Sequence, residues 1–187
     1  LLHHRHHRPD AEHLQRVLTS VAQHTPNVIL VDNTPGPHAT ITTPEDVQCV
    51  TLGKNLGIAA AQNIGIRQAL NQGADLIWLS DQDTIYPAHF LADMLKGLEV
   101  CQTQGIRLAA LAPSYFDTHK GTVQAFVRHA PFTQFFNPQP GLHPVSHAIA
   151  SGTLIPAQAL RTIGLMQESL FIDWVDLEWC WRASNQH

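Results

Sequence analysis

The stretch Leu76–Thr84, with the sequence LIWLSDQDT, constrains the fold more than any other part of the chain. Its first five residues predict a short buried β-strand that ends in Asp81-Gln82-Asp83. A helical pattern follows, which is typical of an open α/β sheet with the two carboxylates at the carboxyl end of a strand. Ligands bind at that edge of such sheets. Two nearby carboxylates with no adjacent Lys or Arg suit a hard divalent cation such as Mg²⁺ or Mn²⁺.

The rest of the chain alternates helical and strand patterns, and 187 residues with 44% hydrophobic content suit one well-buried domain. Helices are predicted at Ala11–Gln23, Ala59–Asn71, Ala88–Gln104, Pro156–Ile163 and from Asp173 onward. Strands are predicted at Val28–Asp32, Val47–Leu52, Leu76–Ser80, Leu108–Ala112 and Val123–Val127. This order predicts a mostly parallel central sheet flanked by crossover helices.

Composition excludes several classes of protein. With 11 basic and 15 acidic residues, the formal charge of −4 argues against a nucleic-acid binder. Cys49, Cys101 and Cys180 are odd in number and far apart, which fits neither a disulfide framework nor a zinc site and favours a reduced cytoplasmic setting. The apolar runs are far shorter than the roughly 18 residues of a membrane span, so any membrane contact is expected to be peripheral.

Two other segments invite metal or phosphate interpretations. Residues 1–8 (LLHHRHHR) contain clustered imidazoles but no carboxylate or Cys to complete a metal shell, so they are predicted to form an irregular tail. The loop 53–57 (GKNLG) lacks the glycine spacing of both the dinucleotide-binding and the Walker motifs. The start of the following helix could still hold a phosphate or a sugar hydroxyl through its free N–H groups, with Asn55 and Asn63 as partners.

The segment Phe171–Arg182 is dense in aromatic and acidic residues. As a helix from Asp173, it would place Asp173 and Asp176 on one face, with Glu178 pointing elsewhere. Arg182 lies four residues after Glu178, a spacing that predicts an ion pair. The three tryptophans of the segment are expected to be packing residues rather than stacking platforms for sugars.

Four segments together resemble the family 2 glycosyltransferases, and the last of them resembles the bacterial rhamnosyltransferases in particular. They are Val31–Asn33, Asn55–Ile66, Trp78–Thr84 and Phe171–Ala183, in the order that the family has them. The resemblance implies a GT-A fold, with residues 9–187 forming one domain. Its nucleotide-binding part would cover about residues 9–112, and its acceptor part about residues 113–187. Family members also have an earlier first strand and a C-terminal extension, so the chain is expected to be truncated.

The resemblance further implies the roles of individual residues. Asp176 would be the catalytic base, and Asp83 would hold the metal on the diphosphate together with Asp81. The predicted nucleotide-sugar contacts are Asp32, Asn55, Gly57, Asn63 and Asp81. The predicted acceptor-side residues are Ser151, Gly152, Asp173 and Glu178, of which Ser151 and Gly152 also lack bulky side chains and would permit close approach of a ligand.

The function that these roles imply is that of an inverting glycosyltransferase with a divalent metal cofactor. Its donor would be dTDP-rhamnose, and its acceptor a polysaccharide or a lipid-linked saccharide at the inner face of the cytoplasmic membrane. Two alternatives stay open at this point. The chain could be a truncated, catalytically inactive remnant that keeps the fold or only binds partners. It could also be a nucleotidyltransferase, although residues 1–8 make a poor Gly-rich phosphate loop.

Overall fold

A computed structural model describes residues 11–36, 43–117, 121–129, 132–137 and 139–186, so the predicted tail 1–8 lies outside the described part. The α-helices are α1 (Ala11–Ala22), α2 (Ile58–Asn71), α3 (Phe90–Thr103), α4 (Ala157–Ile163) and α5 (Val175–Ser184). The strands are β1 (Val28–Asp32), β2 (Val47–Thr51), β3 (Leu76–Trp78), β4 (Phe116–Asp117), β5 (Thr122–Val123), β6 (Phe126–His129), β7 (Thr133–Phe136) and β8 (Leu154–Pro156). A short 3₁₀ turn covers Glu168–Leu170.

The strand pairing differs from the predicted parallel sheet. β1 and β2 are parallel, with Val28 opposite Val47, but β3 pairs antiparallel with β8. The other two pairs in the described part, β4 with β5 and β6 with β7, are antiparallel hairpins. The chain is therefore a mixed α/β structure, and the expectation of mostly parallel pairing does not describe these strand pairs.

The predicted strand Leu108–Ala112 is wrong, because only Leu111 pairs, through a single antiparallel bridge to Leu154. Its N–H donates to the Leu154 carbonyl, and the reverse bond is made as well, both at 2.8 Å. Pro113 follows closely and has no N–H to extend the ladder. β8, which no strand pattern predicts, is the element that pairs with β3 in place of a parallel neighbour.

The β3–β8 pair separates two parts of the hydrophobic core. Ile77 and Ile155 pack with α2, α4 and α5, whereas Trp78 and Leu154 pack with α1 and α3. This division follows from the alternation of side chains across a strand. The carboxyl end of β3 is thus fixed from both faces, which gives the loop that follows it a rigid base.

Helix α5 is anchored by Trp179, which is 3% exposed and donates its indole N–H to the Gly164 carbonyl at 2.8 Å. The expectation that all three tryptophans pack is wrong for Trp174 and Trp181, which are 64% and 58% exposed. The helix begins at Val175 rather than at Asp173, because Trp174 has a positive φ of 68°. None of the described helices is long and apolar enough to cross a membrane.

Candidate functional site

The Asp81-Gln82-Asp83 loop leaves the end of β3 next to the segment that precedes β8. The Leu79 N–H donates to the Thr153 carbonyl, and the Gly152 N–H donates to the Leu79 carbonyl, both at 2.9 Å. Gly152 has a φ of +82°, and a Cβ there would lie 2.8 Å from Pro113 Cγ, so this position requires glycine. The two segments can approach as closely as they do because of that glycine.

Asp176 lies in the first turn of α5, near enough to Asp81 for their charges to interact. The Ala150 N–H donates to Asp176 Oδ2 at 3.0 Å, which aims the carboxylate at the segment beside the loop. Asp176 lines a narrow, mostly apolar cleft with Leu79 and Cys180. Burial raises the pKa of Asp176, and the nearby negative charge of Asp81 raises it further.

Asp81 itself is buried, whereas Asp83 is exposed at the surface of the loop. Burial raises the pKa of Asp81, and the carboxylate of Asp83 adds to the increase. Asp81 therefore interacts electrostatically with two carboxylates, Asp83 in its own loop and Asp176 on α5, which comes from a distant part of the sequence. Such an arrangement of like charges is typical of a site that binds a cation or transfers a proton.

The carboxylates of Asp81 and Asp83 fit a Mg²⁺ or Mn²⁺ ion that a bound ligand would also coordinate. Within the described residues, no group of three or more His, Cys, Asp or Glu side chains is arranged to hold a metal ion by itself. Asp81 and Asp83 supply hard oxygen atoms, and Mg²⁺ in phosphate-binding sites is usually held by one or two carboxylates together with substrate phosphates. The residues present are therefore compatible with a metal that arrives with a diphosphate.

At the end of β1, Asp32 and Asn33 organise a second polar region. The Thr34 N–H donates to Asp32 Oδ1 at 3.0 Å. Asn33 accepts from the Leu56 N–H at 2.8 Å and donates to Asn55 Oδ1 at 3.0 Å. Asn33 was not among the predicted site residues, although its position directly after Asp32 at a strand end is the signal that could have identified it.

Two of the N–H groups at the start of α2, where the sequence predicted free donors, are already engaged within the protein. The Ile58 and Ala59 N–H groups both donate to the Phe171 carbonyl, at 2.6 and 3.4 Å. Gly57 is buried with a φ of +82°, and a Cβ there would lie 2.6 Å from Phe171. Gly57 thus permits the close approach of Phe171, whose carbonyl takes the place that a phosphate would need on these two N–H groups.

Asn63 is 1% exposed and its amide is engaged within the protein. The side-chain nitrogen donates to the Met166 carbonyl and to Glu168 Oε1, and the oxygen accepts from the Met166 N–H, all at 2.9 Å. Arg67 on the same helix also donates to Glu168, at 3.1 Å. Asn63 therefore holds the 166–168 segment against α2, and both hydrogens of its amide are already donated.

The acidic residues around Asp176 separate into different environments. Asp173 is exposed in the turn before α5, so it does not share a helical face with Asp176 as predicted. The predicted ion pair between Glu178 and Arg182 is confirmed, with two hydrogen bonds of 2.6 and 2.8 Å. Because Arg182 also donates to the carbonyls of Ile163 and Leu165, at 2.7 Å each, Glu178 belongs to a bridge between α5 and the end of α4.

Comparison with known proteins places these features in a family. The family model described as "Glycosyl transferase family 2" matches residues 6–164. A dTDP-rhamnosyl transferase from Shigella flexneri, RfbF, is 30% identical to the chain over 183 residues. The match covers 95% of this chain and 60% of that relative, so the chain spans less than two thirds of the relative's length.

Proposed function

Because this chain belongs to the family 2 glycosyltransferases, we propose that it is an inverting glycosyltransferase whose site lies between Asp81 and Asp176. The family carries the α/β GT-A fold, in agreement with the mixture of helices and strands found here. The observation that supports this site best is the convergence of the Asp81-Gln82-Asp83 loop with the first turn of α5. Residues 9–187 would form one domain, with the nucleotide bound by about 9–112 and the acceptor by about 113–187.

Asp176 is proposed as the catalytic base. A sugar hydroxyl is a weak nucleophile, and a positioned carboxylate that accepts its proton contributes roughly 10²–10⁴-fold to the rate. The raised pKa of Asp176 supports this role, since burial and the charge of Asp81 make it a stronger base than an exposed aspartate. The Ala150 N–H bond would keep one oxygen fixed and leave the other for the acceptor hydroxyl. A single displacement at the anomeric carbon inverts its configuration.

Asp83 and Asp81 are proposed to hold a Mg²⁺ or Mn²⁺ ion, which family 2 members commonly use. When bound, this ion would act as a Lewis acid that stabilises the charge on the leaving nucleoside diphosphate. The exposed Asp83 carboxylate would face the diphosphate, and the buried Asp81 would face the ribose side. Neither residue would need to donate a proton to the leaving group.

The proposed nucleotide contacts are Asp32 and Asn55, with Gly57 shaping the loop between them and α2. Asn33 would orient Asn55, to which it is hydrogen-bonded. Asn63 would act on the site through the 166–168 segment rather than by touching the nucleotide, because its amide is committed there.

On the acceptor side, Ser151 and Gly152 lie beside the loop and Asp173 lies at the exposed turn before α5. These three residues are proposed to border the acceptor. Glu178 would act indirectly, through the bridge from α5 to α4 that it forms with Arg182.

The similarity to a dTDP-rhamnosyl transferase supports dTDP-rhamnose as the donor. The acceptor is proposed to be a saccharide of a cell-surface polysaccharide, presented free or on a lipid. A lipid-linked acceptor would bring the enzyme to the cytoplasmic face of the inner membrane as a peripheral protein.

Calorimetric titration of the whole chain with dTDP-rhamnose in the presence of Mn²⁺ tests the proposal, with other dTDP- and UDP-sugars as competitors. We expect dTDP-rhamnose to bind, and the Asp83→Asn variant to lose the Mn²⁺ dependence of that binding. A chain that melts cooperatively but binds no nucleotide sugar would overturn the proposed function. Donor binding without transfer or hydrolysis would identify an inactive member, and pyrophosphate release from a nucleotide would identify a nucleotidyltransferase.

A further inference from the structure

Four hydroxyl groups form a connected chain around the Asp81-Gln82-Asp83 loop. Thr84 Oγ1 lies 2.6 Å from Ser151 Oγ, which lies 3.4 Å from the Tyr86 hydroxyl. The Tyr86 hydroxyl donates to Ser80 Oγ at 2.9 Å, and Ser80 Oγ donates to the Asp81 carbonyl at 3.1 Å. If Thr84 donates to Ser151 and Ser151 to Tyr86, every hydroxyl hydrogen in the chain is used once.

The chain of hydroxyls links both ends of the acidic loop to fixed parts of the fold. Ser80 directly precedes Asp81, and Thr84 directly follows Asp83. The loop itself has no regular secondary structure, so its ends decide where its carboxylates lie. Ser151 belongs to the buried segment before β8 and is 9% exposed. The loop is therefore tied at both ends to residues that cannot move independently of the core.

Tyr86 is the member of this chain that is held most firmly. It is 5% exposed, and its ring packs against Trp78 and Phe90, with centroid distances of 4.8 and 4.7 Å. Burial also raises the pKa of the Tyr86 phenol, which therefore stays protonated and can donate its hydrogen bond. A fixed aromatic ring with its hydroxyl at the centre of the hydroxyl chain is suited to define where the loop lies.

We propose that Tyr86 is a positioning residue, which holds the Asp81-Gln82-Asp83 loop through Ser80 and, by way of Ser151, through Thr84. The consequence for metal binding rests on the proposed function, whereas the positioning of the loop does not. Tyr86 touches neither the metal nor the sugar in this scheme. Its effect is to keep the two carboxylates in one arrangement before the ion arrives, which reduces the entropy that is lost when the ion binds.

The test compares Tyr86→Phe with Tyr115→Phe, which removes the same atom from the other tyrosine of the chain, outside the hydroxyl chain. The first measurement is the ¹⁵N order parameter of the backbone amides of residues 81–84 in the metal-free protein. We expect values near about 0.85 in the wild type and in Tyr115→Phe, and values falling toward about 0.6 in Tyr86→Phe. The second is Mn²⁺ affinity by calorimetry in the presence of dTDP, expected to weaken about tenfold in Tyr86→Phe alone.

Unchanged order parameters and unchanged Mn²⁺ affinity in a folded Tyr86→Phe variant would overturn the inference. If the wild type binds no Mn²⁺ but the loop loses order in Tyr86→Phe, the positioning role survives and the proposed metal site fails. Should Tyr86→Phe not fold, Thr84→Val and Ser151→Ala each break the chain of hydroxyls at another link. Both are expected to loosen residues 81–84, and a rigid loop in both would overturn the inference.

Discussion

Two sets of carboxylates on neighbouring parts of the molecule have opposite surroundings. Asp81 and Asp176 are placed near each other, and burial together with like charge raises the pKa of both. Glu168 and Glu178 are each hydrogen-bonded to an arginine, and the pKa of Glu168 is lowered by its bonds to Asn63 and Arg67. The two sets therefore differ in how deeply their members are buried and in the sign of the charges beside them.

The difference indicates which acids are kept for chemistry and which for structure. A carboxylate with a raised pKa is less favourable in the folded protein than in the unfolded chain at neutral pH, so it costs stability. A carboxylate paired with a cation contributes stability in the same conditions. Residues that cost stability and cluster at one edge of a sheet are candidates for function, whereas the glutamates serve as links between helices.

The largest expected effect is that of Asp176→Asn on activity. The amide cannot accept the acceptor's proton, so the rate of transfer should fall by roughly 10²–10⁴-fold. Because the substitution removes a carboxylate whose pKa is raised, the free energy of unfolding at pH 7 should rise, with the Ala150 N–H bond kept by the amide oxygen. Transfer rates with saturating donor and a urea unfolding curve measure the two effects.

Glu178→Gln is the matched control for Asp176→Asn, since it removes one carboxylate from the same helix. It should show the opposite result, with most of the activity kept and the protein less stable, because Arg182 loses a paired anion. If Glu178→Gln abolished transfer in a well-folded protein while Asp176→Asn did not, the roles assigned to the two sets of carboxylates would be reversed.

The next largest effect is expected at Gly57, where the start of α2 contacts Phe171. Gly57→Ala places a Cβ 2.6 Å from Phe171 and strains a residue with a φ of +82°. Together these changes should cost about 3 kcal/mol of unfolding free energy. Gly53→Ala is the control, because Gly53 also has a positive φ, +67°, but a Cβ there meets no atom of the described residues within 4 Å.

Both alanine variants strain the backbone, but only Gly57→Ala also clashes with Phe171. The difference between their unfolding free energies therefore measures the cost of that clash. We expect Gly53→Ala to cost only about 1 kcal/mol, measured in the same urea titration. Equal losses in the two variants would mean that Phe171 moves aside readily. In that case the start of α2 could release the Phe171 carbonyl and offer its N–H groups to a ligand after all.

Local patterns were sufficient to predict the elements that carry the site. The strand that ends before Asp81 follows from its apolar run, and the Glu178–Arg182 pair follows from helical spacing. The helix that bears Asp176 was expected in the right segment but starts two residues later than predicted. These features depend on residues within a few positions of one another. The positions of the polar residues at strand ends were readable for the same reason, since polar residues directly after an apolar run are visible in the sequence.

Contacts between distant segments could not be predicted in this way. The pairing of β3 with β8 depends on the left-handed backbone at Gly152, and the capping of α2 depends on the Phe171 carbonyl, far along the chain. No periodicity marks a backbone carbonyl as a cap. The bonds of Asn63 were unpredictable for the same reason, because a buried amide that serves Met166 has the same sequence context as one that serves a ligand.

A smaller effect is expected from Arg182→Met, which leaves Glu178 and the carbonyls of Ile163 and Leu165 without their donor. Because these bonds are charge-assisted but partly exposed, the loss should be about 2 kcal/mol of unfolding free energy. Arg67→Met is the matched control, and its surface pair with Glu168 should be worth less than about 1 kcal/mol. Similar losses in the two variants would show that the bridge from α5 to α4 is no stronger than a surface pair.

The smallest effect concerns how the free energy of unfolding depends on pH. Removing a carboxylate should change it in opposite directions for the two sets. The pKa of Glu168 is lowered in the folded protein, so its contribution to stability is present above its ordinary pKa and is lost as the pH falls through the folded value. Glu168→Gln should therefore reduce stability at pH 7, by less than about 1 kcal/mol, and make little difference in acid.

For Asp176 the pKa is raised, so Asp176→Asn should increase stability at pH 7, and this gain should disappear below the ordinary aspartate pKa. Unfolding free energies of both variants, measured at several pH values between 3 and 7 and subtracted from those of the wild type, should diverge in opposite directions as the pH rises. Curves that bend the same way would mean that Asp176 is stabilised by a cation-like partner, and its assignment as the base would then be wrong.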